Sequence, residues 1–476
     1  MERLHFRLVR TVTIGTLVLS ALAVQAQVTN RPLPPINRTT GIITVGVAEF
    51  ATIPDVGGMA PRLMLMMDEP GTKRFFVNEM RGSLFSVSYD GKTVTPYVDI
   101  NDSTWGVDVQ SQGRERGFQS FAFHPHFGQT GRPGYGKFYT WTDSRDNQTA
   151  PDFKPAGGTN THHTVLFEWT AKNASAATYD GDRPREIMRF EQPYANHNGG
   201  LAAFNPLARL NTPEFGLLYL GIADGGSGGD PLNLSQNLSS GFGKIFRIDP
   251  LGNNSANGKY GIPASNPFVV SKTASALGEI YAYGARNPQR FGWDSKTGAM
   301  YFADIGQNIV EEVGVVTAGA NLGWNIWEGS FKYAGRGGVD TVAARSDPNM
   351  LYPTVEYAHG DSLLQGQAAV TGVVVYRGTA IAALRNKVLF GDFPTGEVFY
   401  FDADNPPKGG VSRFHRVLFK SDGGDGRKLL EFIKEKNSAQ GKRPASRADL
   451  RFGVSNDGRV FLLNKADGTI RVVIDA

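Results

Sequence analysis

The sequence predicts an all-β chain, and three observations carry that prediction. Glycine is abundant, with 58 residues in 476, and aromatic residues make up 11%, while long stretches of helical periodicity are scarce. Asp-Gly pairs sit between alternating strand-like runs, at Asp90-Gly91, Asp457-Gly458 and Asp467-Gly468. Asp-Gly is a strong hairpin signal because both residues tolerate the positive φ angles that tight turns demand. Finally, a strand–turn–strand unit recurs loosely along the whole chain.

The units run as follows. Arg74–Glu79 and Gly82–Val87 read as strands ahead of Asp90-Gly91, and Thr93–Val98 follows. Phe121–Pro125 leads to Lys137–Trp141, Leu201–Pro206 to Leu217–Leu220, Gln289–Asp294 to Gly298–Ala303, and Lys387–Asp392 to Gly396–Tyr400. Arg459–Leu463 and Thr469–Ile474 close the chain. A repeat of short antiparallel strands is the signature of a β-propeller. Six blades would take about 75 residues each, roomy beside the about 40–50 of common repeats, so long inter-strand loops are expected. A β-sandwich array is the rival, but no linker separates candidate domains. The expectation is a six-bladed β-propeller of four-stranded antiparallel blades over residues 46–476, with one helix at Lys428–Asn437.

Residues 1–26 read as an export signal. Arg3, Arg7 and Arg10 precede an apolar run over Val12–Val24, and Val24-Gln25-Ala26 ends in a small residue at the cleavage point. The run is short for a membrane span, and no later stretch approaches one. A secreted or periplasmic location is therefore expected. Residues 27–45, with Arg31-Pro32-Leu33-Pro34-Pro35, read as an extended lead-in. The chain has no cysteine, which excludes disulfides, thiolate metal sites and a cysteine nucleophile. A net charge of +4, from 49 basic and 45 acidic residues, gives no electrostatic reason to expect nucleic acid or anionic membrane as a partner.

The chemistry is expected in Tyr194–Pro250. His197 stands among amides and glycines in Asn196-His197-Asn198-Gly199-Gly200, ahead of an acidic, glycine-rich stretch, Asp224-Gly225-Gly226-Ser227. Imidazole is the side chain best suited to moving a proton near neutral pH. Asp224-Gly225-Gly226 reads first as a hairpin turn and second as a metal-ligand loop. His124, His126, His162 and His163 read as structural or solvated residues in loops beside strands. Trp324 and Trp327 read first as core and second as surfaces for a sugar ring.

Seven ordered blocks carry a resemblance. They are Glu115–Pro125, Asn196–Gly200, Asp224–Pro231, Gly243–Pro250, Tyr283–Gln289, Asn321–Gly329 and Thr371–Gly378. Over residues 60–475 the chain resembles the soluble glucose/sorbosone dehydrogenase family, six-bladed propellers that include pyrroloquinoline-quinone (PQQ)-dependent aldose sugar dehydrogenases. The resemblance implies that His197 is the general base, taking the anomeric hydroxyl proton of a small sugar while hydride passes to the quinone. It implies that Arg286 and Asn287 contact PQQ, with Glu115 in the pocket, and that the carbonyls of Gly306 and Gln307 hold Ca2+. Oxygen donors of that kind suit calcium. An unidentified electron acceptor would take the electrons onward.

The sequence departs from the family pattern in two places. The loop Gly391-Asp392-Phe393-Pro394-Thr395-Gly396 lacks the lysine that reaches the quinone in the enzymes. Two closely spaced arginines of the last blade are represented only by Arg447 and Arg451, at a different spacing. The alternative is therefore a non-catalytic propeller that binds carbohydrate or protein through the same loop face. Convergence of Arg447, Arg451 or Lys244 near His197 would separate the two readings.

Overall fold

Short antiparallel strands taken in sequence order make up nearly all of the regular structure of the computed structural model, which describes residues 1, 27–270, 275–421 and 423–476. The segment read as an export signal, 2–26, lies outside the described residues.

The strands pair as consecutive runs of four. Phe118–Phe123, Lys137–Ser144, His162–Thr170 and Arg185–Gln192 form one sheet. Ala202–Phe204, Leu218–Ile222, Lys244–Ile248 and Ile280–Tyr283 form the next, followed by Pro288–Trp293, Met300–Asp304, Val310–Val316 and Val355–Ala358. Trp327–Glu328, Phe331–Tyr333, Val339–Asp340 and Val28–Thr29 make a small separate sheet, and the other runs are Leu63–Asp68 to Val94–Asp99, Val370–Tyr376 to His415–Lys420, and Arg451–Val454 to Thr469–Ile474. The last of these is completed by Ile43–Thr52, and two parallel pairings link all three into one twelve-stranded sheet. Most of the recurrent units seen in the sequence appear here as neighbouring strands of one run, because Asx, Pro and Gly at each junction provide turn conformations.

The first strands of successive runs pack side by side. Leu63–Asp68 lies against Phe118–Phe123, which lies against Ala202–Phe204. Pro288–Trp293 lies against Leu218–Ile222 and Val370–Tyr376, and Arg451–Val454 lies against both Val370–Tyr376 and Leu63–Asp68. The approach is close at Gly372, whose φ is 66° and where a Cβ would overlap the Phe452 ring of the neighbouring run. Only glycine fits such a contact.

Aromatic side chains fill the space between runs. Phe138 stacks on Trp169 at 5.8 Å, and Phe390, Phe399 and Phe414 meet edge to face or tilted at 5.3–5.4 Å. Burying each such ring contributes about 1.5–3 kcal/mol. The two ends of the chain meet in one sheet: Ile43–Thr52 runs antiparallel to Thr469–Ile474, with Val47 opposite Val473. That strand begins at Ile43, three residues before the expected boundary at 46, and within the lead-in Val28–Thr29 pairs with Val339–Asp340. The helix spans Leu429–Ala439 and buries Leu429, Leu430, Phe432 and Ile433. His162 and His163 open a strand and are fully buried, so the loop expectation for them is corrected. Their strand is covered on both faces.

Phe461 ties the two ends together, with its ring 5.0 Å from Phe50 of the first long strand and 5.3 Å from Phe75. Phe461→Ala should lower unfolding free energy by about 3–5 kcal/mol in a denaturant titration.

Candidate active site

The loops that enter the first strands of the runs, and the turns between second and third strands, gather on one face. His197 lies in the segment joining Arg185–Gln192 to Ala202–Phe204, and its backbone is left-handed, φ 53°. That conformation is uncommon for a residue with a side chain and persists only where its surroundings hold it. Here the His197 amide donates to Glu115 Oε2 at 2.7 Å, and its ring is anchored from below. Nδ1 lies 2.7 Å from Asp224 Oδ1. Asp224 is fully buried and also accepts from Trp324 Nε1 at 2.9 Å and from the Gly226 amide at 2.9 Å. Gly226 has φ 98°, and a Cβ there would meet the Asn196 carbonyl at 2.3 Å, so glycine is required.

Burial works to raise the Asp224 pKa, but the His197 ring, Arg286 and the Gly226 amide outweigh it. The carboxyl is held below its ordinary value. An ionised Asp224 accepts the Nδ1 proton, which leaves the Nε2 lone pair as the basic atom of a neutral ring. Arg286 Nη2 lies 3.1 Å from that Nε2.

Arg286 is itself tightly placed. Nη1 donates to the Ile305 carbonyl at 2.7 Å, and Nε and Nη2 reach Gln307 Oε1 at 3.3 and 3.1 Å. Its guanidinium stands 5.5 Å from the Trp324 ring centroid. The amides of Arg286 and Asn287 donate to the Asp304 carboxylate at 2.8 and 2.6 Å. Burial pushes Asp304 up to about 7. Asn287 Oδ1 accepts from Gln289 Nε2, which also donates to the Gly199 carbonyl beside His197.

A cationic side of the site lies beyond Gln289. Arg451, buried, donates to Gln289 Oε1 at 3.3 Å and to Thr371 Oγ1 at 2.6 Å. Its guanidinium covers Phe393 at 4.2 Å, with Arg447 at 5.6 Å from the same ring centroid. Lys465 Nζ is 5.1 Å from that centroid and donates to the carbonyl of Arg114, next to Glu115. Lys244 is elsewhere: its ammonium is buried against the carbonyls of Leu234, Ser235 and Phe242, and burial takes it down to about 7. At the exit ends of the first strands lies a cavity of about 860 Å³, lined by Leu65, Phe123, Phe291, Val373 and Phe452 and reached by Arg290.

The metal expectation rests on a turn whose amides are already committed. Glu328 Oε1 accepts from the amides of Asn308, Ile309 and Val310, and Glu311 accepts from that of Gly306. The carbonyl oxygens of Gly306 and Gln307 accept no hydrogen bond among the described residues. These are hard oxygens of the kind calcium accepts. No group of three or more His, Asp or Glu among the described residues has metal-holding geometry, so a cation here would depend on those backbone oxygens.

The structure thus brings together Glu115, His197, Arg286, Asn287 and Gln307, with Arg451 one hydrogen-bonded residue away and Arg447 beyond it. Gln307 enters through its side chain rather than its carbonyl. Asp224 is not a simple hairpin residue but the partner of the histidine, and Trp324 serves as its hydrogen-bond donor while remaining core. Sequence reasoning missed Lys465, which sits in an unremarkable hairpin, Asn464-Lys465-Ala466-Asp467-Gly468. Trp327 is buried against Tyr352.

An all-β chain with a buried His–Asp pair at the loop face of packed antiparallel sheets defines the class. Residues 60–422 match the glucose/sorbosone dehydrogenase family, and the chain belongs to that family. Among curated relatives, HIPL1 protein of Arabidopsis thaliana is 28% identical over 395 residues, covering 76% of this chain and 55% of the relative. Human Hedgehog-interacting protein is 26% identical over 239 residues, 49% of this chain and 30% of that protein. The chain spans about half the length of the first curated relatives it matches. The PQQ-bound aldose sugar dehydrogenase of Streptomyces coelicolor shares the fold, with a TM-score of 0.55 at 18% identity over 90% of this chain and 98% of that one.

Because Asp224 is depressed in the folded state, its ionisation contributes stability that is present above about pH 4 and is lost as pH falls through the folded value. The stability gap between wild type and Asp224→Asn should therefore narrow on acidification below about pH 4, as measured by urea unfolding at stepped pH.

Proposed function

We propose that the protein is an exported, PQQ-dependent aldose sugar dehydrogenase built on a closed ring of six four-stranded blades. The side-by-side packing of first strands, returning from Arg451–Val454 to Leu63–Asp68, supports the ring. The single observation that carries the activity is the His197–Asp224 bond, which leaves Nε2 as a base on the loop face. A positioned general base contributes about 10²–10⁴-fold in rate.

The residues present fit the quinone. It carries three carboxylates, and the site offers Arg286, Arg451, Arg447 and Lys465 with Asn287 as a neutral donor. Asp449 pairs with Arg447, while Arg286, Arg451 and Lys465 have no carboxylate within ion-pair distance among the described residues. Bound there, the quinone would supply the hydride acceptor. Calcium would rest on the Gly306 and Gln307 carbonyls. His197 Nε2 takes the proton of the anomeric hydroxyl, and Asp224 stabilises the imidazolium that results. Arg286 must leave Nε2 for this to happen, and Gln307, Ile305 and the Trp324 face hold it close by. Trp324 and Gly226 keep Asp224 oriented throughout, so the base presents the same atom at each turnover.

A second reading is favoured by two particular observations. The Gly391–Gly396 loop lacks the lysine that the enzymes carry there, and curated relatives include Hedgehog-interacting protein. In that reading the same face binds a carbohydrate or protein without redox chemistry.

The deciding experiment is dye reduction by the full chain with PQQ, calcium and a panel of aldoses, beside calorimetric titration with PQQ. His197→Ala should still bind the quinone but reduce dye at least about 10²-fold more slowly. Arg286→Ala should weaken binding itself. Absence of binding heat at tens of micromolar quinone would overturn the dehydrogenase reading and leave the second one.

A further inference from the structure

The positive charge around Phe393 exceeds what the protein itself pairs. Arg451, Arg447 and Lys465 come from two loops and a strand start yet converge on one ring, at 4.2, 5.6 and 5.1 Å. Of the three, only Arg447 has a carboxylate at ion-pair distance among the described residues, Asp449 at 2.9 Å. Arg451 is 4% exposed, and its Nε has no partner among the described residues. Arg290, which reaches the cavity at the exit ends of the first strands, is also buried, and among the described residues it bonds only backbone carbonyls and has an unpartnered Nε. Buried charges are ordinarily paired, because an unpaired one costs several kcal/mol. The missing partner is an anion.

Lys465 is the informative member. Its ammonium is held by the Arg114 carbonyl at 3.1 Å and touches Met80 Sδ at 3.3 Å, which places it on the loop whose Glu115 grips the His197 amide. The loop where the enzymes of the family carry a lysine contributes Phe393 instead, and that ring is the platform under all three cations.

We propose that Lys465, with Arg451 and Arg447 on the Phe393 platform, is the anion-binding edge of this site and takes a polycarboxylate, Lys465 supplying from the Asn464–Gly468 hairpin the ammonium that the Gly391–Gly396 loop lacks. The identity of the ligand as the quinone rests on the function proposed above; its charge does not. Burial and then the neighbouring Arg451 hold Lys465 well below its ordinary pKa, with Asp449 opposing and Arg62 and Arg290 adding to the effect. A carboxylate placed among these groups opposes that effect and favours the ammonium.

The test is calorimetric titration of the calcium-loaded full chain with PQQ and, separately, with benzene-1,3,5-tricarboxylate, at two salt concentrations. Lys465→Gln should weaken both ligands about tenfold or more, the scale of one charge-assisted hydrogen bond. Lys465→Arg should keep affinity near wild type. Lys465→Gln removes a charge that faces other cations, so its melting temperature should not fall, which separates a binding role from a structural one. If Lys465→Gln binds both ligands as wild type does, or if wild type binds neither, the inference is overturned. Binding of PQQ with no effect of Lys465→Gln sinks this inference and leaves the dehydrogenase reading standing. Tricarboxylate binding that Lys465→Gln weakens, with no binding of PQQ, does the reverse.

Discussion

Everything at the loop face depends on one buried carboxylate. Asp224 accepts from the His197 ring, the Trp324 indole and the Gly226 amide, and each of those three belongs to a different segment of chain. An ion in that position, away from water, is tolerable only because its acceptor sites are met by donors. The carboxylate therefore fixes more than a tautomer. It pulls the 194–200 segment, the 224–231 loop and the Asn321–Gly329 block into one register, and the left-handed turn at His197 is the backbone consequence.

Arg286 extends that arrangement toward the turn after Asp304. Its guanidinium meets the histidine, the Trp324 face, the Ile305 carbonyl and Gln307 at once. A residue with so many protein partners is preorganised, and a ligand that recruits it pays little to order it. Carboxylates brought in from solution would meet a half-circle of guanidinium and ammonium groups. The family assignment and the fold are compatible with both a catalytic and a purely binding descendant of this arrangement, since folds host sites rather than dictate them.

How much of this was legible beforehand follows from range. Strands such as Arg74–Glu79 and Lys387–Asp392 were readable because alternation and turn residues act locally, and both appear at the same limits in the structure. His197, Arg286 and Asn287 were readable through ordered sequence blocks. Asp224 was not, since Asp-Gly-Gly satisfies every local criterion for a hairpin and its meaning comes from a histidine 27 residues earlier. Lys465 was invisible for the same reason: its hairpin carries no local mark, and only the packing of Arg451–Val454 beside Leu63–Asp68 brings it to the Arg114–Glu115 loop. The buried strand position of His162 and His163 follows from coverage on both faces, which no alternating pattern announces.

The sharing of one sheet by the two ends of the chain governs how the molecule is made. Ile43–Thr52 has its antiparallel partner in Thr469–Ile474, so the earliest long strand to be synthesised waits for the last. Until then it offers an unsatisfied edge of backbone amides and carbonyls, the feature that invites pairing with other chains. A contact of such sequence separation forms slowly. Nascent chains should therefore need protection from one another until Thr469–Ile474 has been made, and a stop before that strand would do more harm than its few residues suggest. It would free Ile43–Thr52 from its antiparallel partner rather than merely shorten the chain.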